Sequence, residues 1–129
     1  MTTSNFAEAA RRTIRLEAEA VTLLEERIDA AFDRACELIM QCTGRVIVTG
    51  MGKSGHIGRK IAASLASTGT PAFFVHPGEA SHGDLGMITR VDLVLALSNS
   101  GTTAEIITLL PLIKRMGLPL ISMTGNPDS

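Results

Sequence analysis

The sequence predicts an α/β fold with a doubly wound parallel sheet, preceded by an N-terminal helical arm. After Gly44, short apolar runs alternate with helical stretches. This alternation is typical of parallel sheets in which right-handed crossover helices cover both faces. Before it, residues 5–41 contain neither Gly nor Pro and repeat apolar side chains at three- and four-residue spacing. That period indicates amphipathic helix, in two pieces.

The predicted elements divide the chain into an arm, residues 1–43, and an α/β part, residues 44–129. Within the second part the pattern predicts, in order, strand 45–49, helix 55–67, strand 72–75, strand 92–97, helix 102–116 and strand 118–123. The apolar stripe of the arm includes Val21, Leu24 and Ile28, and such a stripe suits packing on a second subunit.

Composition excludes several classes of function. Lys and Arg number 12 against 13 Asp and Glu, and there is neither Trp nor Tyr. A nucleic-acid partner is therefore not expected, because both a basic face and stacking platforms are lacking. No membrane-length apolar run or signal-peptide core occurs, so we expect a cytoplasmic protein. Cys36 and Cys42 have no partners for a zinc site and are interpreted as reduced.

A glycine-rich loop, residues 49–58, follows the first strand and opens a helix. This position favours an anion, because backbone N–H groups and the helix dipole point towards it. Gly50, Gly52 and Gly55 also satisfy the dinucleotide-binding pattern, but the second strand ends in His76-Pro77 without the acidic residue that holds a ribose. A Walker loop is disfavoured because Ile47 occupies its first glycine position.

Two ionisable residues accompany the loops. Lys53 lies within the first loop, where its ammonium would attract a phosphate or stabilise negative charge. The second loop, Ser98-Asn99-Ser100-Gly101-Thr102-Thr103, follows another apolar strand and carries four hydroxyls that can bind phosphate or simply cap a helix. Glu105 follows one turn later, as a proton shuttle or as an ordinary first-turn carboxylate.

Four motifs in this order closely resemble arabinose 5-phosphate isomerases. They are Gly50-Met51-Gly52-Lys53-Ser54-Gly55-His56-Ile57-Gly58, Ser67-Thr68-Gly69-Thr70-Pro71, the stretch from Val75 to Met87, and Ser98-Asn99-Ser100-Gly101. The resemblance implies a sugar isomerase (SIS) domain with a flavodoxin-like sheet. It also implies interconversion of arabinose 5-phosphate and ribulose 5-phosphate through an enediol, in the supply of Kdo for lipopolysaccharide or capsule. No cofactor is implied, and a homo-oligomer, dimer or tetramer, is expected.

The resemblance also implies roles for individual residues. Lys53 and Glu105 match active-site positions. Phosphate or sugar contacts are implied for Ser54, Gly69, Thr70, His82, Ser98, Ser100 and Thr103. His76 resembles a position where these enzymes bind an inhibitory zinc ion, although a structural role for this histidine is equally open.

The family pattern continues beyond Ser129, with a further strand, more helices, paired CBS domains and additional active-site residues. We therefore interpret the chain as the N-terminal part of such a protein. Two functions stay open at this point: a working isomerase, and a phosphosugar-binding module or inactive fragment without turnover. A dehydrogenase is a third, weaker alternative.

Overall fold

A computed structural model describes residues 4–80 and 84–129. The described chain divides into two compact units, residues 1–34 and 35–129. In the first, helix α1 spans Phe6–Leu23 and a 3-10 turn spans Leu24–Arg27. Helix α2, Ala30–Gln41, begins here and continues into the second unit. The two helical pieces predicted for the arm are thus confirmed.

The break between the two helical pieces has a local cause. Ile28 is extended, with φ −76° and ψ 115°, and the carboxylate of Asp29 accepts the backbone N–H of Ala31 at 3.0 Å. An aspartate in this position caps a new helix by satisfying one of its unpaired N–H groups. All described residues up to Arg34 are exposed.

The second unit contains a four-stranded parallel sheet. Its strands are β1 Val46–Gly50, β2 Ala72–Phe74, β3 Leu93–Ser98 and β4 Leu120–Thr124, in the order β2-β1-β3-β4. β1 and β3 lie in the centre and are buried along their whole length. This arrangement confirms the predicted parallel sheet, and each strand lies within two residues of its expected bounds.

Helices connect the strands and cover both faces of the sheet. Helix α3, Gly52–Ser67, packs with Val46, Val48 and Leu95 on one face. The remaining helices are α4 Pro77–Ala80, a 3-10 turn Asp84–Met87, α5 Ala104–Ile107 and α6 Leu110–Met116. Leu109 and Ile113 pack with Ile47 and Val94 on the opposite face. Two core clusters on two faces confirm the doubly wound architecture.

The single helix expected over residues 102–116 is two helices in the structure. Pro111 occupies the first turn of α6. A proline has no N–H to donate to the carbonyl four residues earlier, and its ring excludes a regular preceding turn. α5 therefore ends at Ile107, and Pro111 occupies a position that favours the start of a new helix.

A buried carboxylate joins the segments that lead into β1 and β3. Asp92 is 2% exposed and accepts the backbone N–H groups of Arg45 and Thr89, both at 2.8 Å. The guanidinium of Arg45 lies 3.7 Å from the same carboxylate and stacks on Phe73 at 4.5 Å from the ring centroid. Because buried charge is costly without partners, this cluster stabilises the amino edge of the sheet.

Candidate functional site

The carboxyl ends of β1, β3 and β4 meet at one edge of the sheet. β1 pairs with β3 so that Gly50 lies opposite Leu97, and β3 pairs with β4 so that Ser98 lies opposite Thr124. The glycine-rich loop and the hydroxyl-rich loop both leave the sheet at this edge. In parallel α/β sheets, this is the edge at which ligands bind.

The glycine-rich loop brings helix α3 close to the end of β1. A Cβ atom on Gly55 would lie 2.7 Å from the carbonyl oxygen of Gly50, so only glycine permits this approach. The helix begins at Gly52, and the preceding residue, Met51, gives no side-chain cap. The first N–H groups of a helix have no partner within it. The positive end of α3 thus offers uncapped donors at the sheet edge.

The hydroxyl-rich loop is organised around Ser98. Its Oγ lies 2.7 Å from Oγ1 of Thr103 and accepts the N–H of Gly101 at 3.0 Å. Gly101 has a φ of +72°, and a Cβ there would overlap Ser129 and approach Oγ1 of Thr124 at 3.0 Å. The left-handed conformation therefore lets the loop fold back on Ser98.

Between the two loops lies an open recess of about 420 Å³, which we call the hydroxyl recess. The described residues that line it are Lys53, Ser54, Ile57, Leu97, Ser98, Asn99, Met123, Thr124 and Gly125. They supply hydroxyls, an amide and one ammonium group, and none of them is acidic. This set of donors suits a phosphate, because hydroxyls and a cation both stabilise its negative charge.

The structure brings three of the expected site residues together in the hydroxyl recess: Lys53, Ser54 and Ser98. Thr103 supports Ser98 through their hydroxyl contact. Ser100 accepts the N–H of its neighbour Thr102 at 3.1 Å and is exposed. These five predicted residues thus lie in the lining of the hydroxyl recess or in the hydroxyl-rich loop beside it.

Other expected residues lie elsewhere. Glu105 is exposed on the first turn of α5 and does not line the recess. Gly69 and Thr70 follow the far end of α3 and precede β2, which places them at the amino edge of the sheet, opposite Ser98. His82 lies outside the described residues.

The zinc position predicted at His76 lacks a ligand set of its own among the described residues. Nδ1 of His76 accepts the N–H of Gly78 at 3.1 Å. Residues 4–80 and 84–129 contain no group of three or more His, Cys, Asp or Glu side chains placed to hold a metal ion. A zinc ion needs about four ligands, so His76 alone is not sufficient.

Sequence reasoning missed the contribution of β4. Thr124 and Gly125 line the hydroxyl recess, and the N–H of Gly125 donates to the carbonyl of Asn99 at 3.0 Å. A Cβ on Gly125 would lie 2.7 Å from Oδ1 of Asn99 and 3.0 Å from its carbonyl oxygen, so a larger residue here would displace the Asn99 side chain. The available signal was a Thr-Gly pair at the end of a strand, the same pair that ends β1.

Comparison with known proteins places this geometry in a family. Residues 39–129 match the family model described as SIS domain. The chain belongs to the SIS domain family. Among solved structures, the SIS chain resembles c3406 of Escherichia coli CFT073 in complex with arabinose 5-phosphate, with a TM-score of 0.92 and 43% sequence identity. The match covers 100% of this chain and 69% of the c3406 chain.

Curated relatives of this SIS chain are similar over almost its whole length. It is 69% identical over 125 residues to arabinose 5-phosphate isomerase KdsD of Pseudomonas aeruginosa and 54% identical over 125 residues to that of Escherichia coli K12. Each match covers 97% of this chain but 38% of the relative. The chain thus spans less than half the length of these relatives. None of its described helices combines the length and apolar character needed to cross a bilayer.

Proposed function

We propose that this SIS chain carries the phosphosugar-binding part of an aldose–ketose isomerase that interconverts D-arabinose 5-phosphate and D-ribulose 5-phosphate. The observation that carries the proposal is the hydroxyl recess, with its uncapped helix start, its hydroxyls and the ammonium group in its described lining. The names of the relatives and the arabinose 5-phosphate bound to c3406 support the choice of sugar.

The phosphate of the sugar would occupy the hydroxyl recess. Ser54 and Ser98 donate hydroxyl hydrogens to its oxygens, and the first N–H groups of α3 add backbone donors. Thr103 positions the hydroxyl of Ser98 through their contact. Ser100 lies exposed in the same loop. Holding the phosphate fixes an otherwise flexible open-chain sugar, which lowers the entropic part of the barrier.

Isomerisation moves one carbon-bound proton to the neighbouring carbon. A base removes the proton from C2 of the aldose, and the electrons form an enediolate with its charge on O1. The hydroxyl proton then passes from O2 to O1, an acid returns a proton to C1, and C2 becomes the ketone carbon. Lys53 is the proposed electrostatic partner of the enediolate oxygen, because a cation beside developing negative charge lowers the barrier. Glu105 is the proposed proton carrier or hydroxyl-orienting group.

Further proposals accompany the main one. A role of His82, Gly69 and Thr70 in binding the sugar stays a prediction. Because Gly69 and Thr70 lie at the opposite sheet edge from Ser98, a contact with the same sugar would require a second subunit, consistent with the proposed homo-oligomer. We also propose a cytoplasmic location, no required cofactor, and a place in the supply of Kdo.

The second candidate is a phosphosugar-binding module without turnover. It is favoured by the described lining of the hydroxyl recess, which supplies phosphate donors but no carboxylate that could act as a base, since Glu105 is exposed outside it. The experiment that separates the two combines an isomerase assay on arabinose 5-phosphate with ligand-induced thermal stabilisation of the purified chain. Turnover with stabilisation supports the isomerase, and stabilisation alone supports the binding module. If neither occurs, both proposals are wrong for this chain.

A further inference from the structure

The described lining of the hydroxyl recess contains one methionine, Met123. It lies on β4 opposite Leu97 of β3. Together with Ile57 of α3, these two residues form the apolar part of the described lining. The other side chains supply hydroxyls, an amide and the ammonium group of Lys53. The proposed function gives the thioether of Met123 no role.

Met123 is accessible to small molecules from solvent. It is 51% exposed and belongs to an edge strand of the four-stranded sheet. Met40 and Met87 are also exposed, at 84% and 54%, but neither lines the recess. Exposed methionines are oxidised to methionine sulfoxide. Among the described methionines, Met123 is therefore the one at which oxidation would place a polar group in the recess.

The reaction with hydrogen peroxide transfers one oxygen atom to the thioether. A sulfur–oxygen bond forms while the oxygen–oxygen bond of the peroxide breaks. The sulfur is oxidised by two electrons, and the peroxide is reduced to water. A weak acceptor, the thioether sulfur, is thereby replaced by a sulfoxide oxygen, which is a strong acceptor with partial negative charge.

A new acceptor oxygen matters here because of the charges in the recess. Its described lining contains no carboxylate, and Lys53 forms no ion pair with a described carboxylate. In the reduced chain, the ammonium group is thus available to a phosphate. Both Lys53 and Met123 line one recess of about 420 Å³, so a sulfoxide oxygen on Met123 would compete with the phosphate for the same donors.

We propose that Met123 is an oxidative modification site of the hydroxyl recess, where conversion of the thioether to a sulfoxide by hydrogen peroxide weakens phosphate binding. The sulfoxide oxygen accepts a hydrogen bond from a group that otherwise holds the phosphate, and its partial negative charge repels the phosphate oxygens. Methionine sulfoxide reductases remove the oxygen, so the loss of affinity is reversible. The inference rests on the proposed function, since it concerns the same recess.

The test measures binding of arabinose 5-phosphate to the purified chain by calorimetric titration, before and after treatment with hydrogen peroxide. Mass spectrometry of peptides gives the oxidised fraction of each methionine. Once Met123 is oxidised, we expect binding to be at least about fivefold weaker, as for the loss of one charge-assisted hydrogen bond. Methionine sulfoxide reductases A and B should then restore the original affinity.

Two variants isolate the effect of Met123, each compared with its own untreated form. Met123→Leu removes the sulfur at nearly constant volume, so peroxide should change its affinity less than about twofold. Met40→Leu is the matched control, because the exposed Met40 lies on α2 and outside the recess lining. Its affinity should fall as in the wild type. Both variants keep Cys36 and Cys42, which controls for oxidation of the thiols.

Three results would overturn the inference. The first is a peroxide-treated chain in which Met40 is oxidised and Met123 stays reduced. The second is unchanged affinity after Met123 has been oxidised, and the third is an equal loss of affinity in Met123→Leu. All three leave the proposed function standing. An untreated chain that does not bind arabinose 5-phosphate would instead contradict the proposed function, and this inference with it.

Discussion

Oγ of Ser98 and Oγ1 of Thr103 lie 2.7 Å apart, which ties the last residue of β3 to the N-cap residue of α5. Ser98 is 8% exposed and also accepts the N–H of Gly101 at 3.0 Å. When Thr103 is the donor, the hydroxyl hydrogen of Ser98 stays available for a ligand in the hydroxyl recess. The position of the Ser98 hydroxyl therefore depends on the contacts that Gly101 and Thr103 make with it.

The first prediction concerns this hydroxyl. Ser98→Ala removes a ligand donor and the acceptor for Gly101, so we expect arabinose 5-phosphate to bind about tenfold more weakly, as for one lost hydrogen bond to a charged group. Calorimetric titration measures the change. Thr102→Ala is the control, because the exposed Thr102 lies in the same loop but does not line the recess. Equal binding by wild type and Ser98→Ala would contradict the assignment.

The second prediction concerns Lys53, which lines the hydroxyl recess and forms no ion pair with any described carboxylate. Lys53→Met keeps most of the side-chain volume and removes the charge. In a preparation that isomerises arabinose 5-phosphate, we expect kcat to fall about 100-fold, because the negative charge of the transition state is no longer stabilised by the ammonium group. Lys60→Met controls for net charge. Near-normal kcat in Lys53→Met would remove this residue from the chemistry.

The third prediction tests Glu105 separately from Lys53. Glu105 is exposed and outside the recess lining, so Glu105→Gln should leave the fold and the phosphate affinity unchanged. If the carboxylate carries a proton, kcat falls by about 100-fold or more, as for the loss of a general base. The control is Glu37→Gln, an exposed carboxylate on α2. Steady-state kinetics that show unchanged kcat in Glu105→Gln would exclude this role.

The fourth prediction concerns Gly101 and its φ of +72°. Gly101→Ala forces a side chain into a left-handed conformation and against Ser129 and Thr124. We expect unfolding to become easier by about 1–3 kcal/mol, visible as a lower Tm. Gly86→Ala is the matched control, since a Cβ there meets nothing within 4 Å. A Tm equal to that of the control would show that the loop conformation is not needed.

The fifth prediction concerns the carboxylate at the amino edge of the sheet. Asp92→Asn replaces one acceptor oxygen with a donor that faces the N–H of Arg45 or Thr89. A mismatched buried hydrogen bond costs about 1–3 kcal/mol, so the denaturant midpoint should fall. Asp33→Asn, on an exposed turn of α2, should change it little. An unchanged midpoint in Asp92→Asn would mean that the cluster does not stabilise the sheet.

The four strands and the long helices were readable from local pattern, whereas the short helix α4, the 3-10 turns and the break before Leu110 were not. Residues 46–50 and 93–98 are buried on all sides, and fully buried strands appear in a sequence as continuous apolar runs. The helix break before Leu110 also has a local cause, Pro111. It was not predicted because the apolar residues on both sides of the break keep the spacing of a continuous helix. Helix periodicity reports which face is buried and does not report where a backbone hydrogen bond is missing.

The candidate site was only partly readable. Lys53, Ser54 and Ser98 were found because each follows a strand in a glycine- or hydroxyl-rich loop. Thr124 and Gly125 were missed, because their part in the recess depends on the pairing of β3 with β4.

Local residue pattern thus decided which segments become strands, helices and anion-binding loops, because periodicity and backbone preference act over a few neighbouring residues. Tertiary structure decided which loops meet. The strand order β2-β1-β3-β4 brings Ser54 and Ser98 to one recess and sends Gly69 and Thr70 to the opposite edge. The physical reason is that parallel pairing aligns the ends of strands far apart in the chain, and helix α3 carries the chain back across the full length of the sheet.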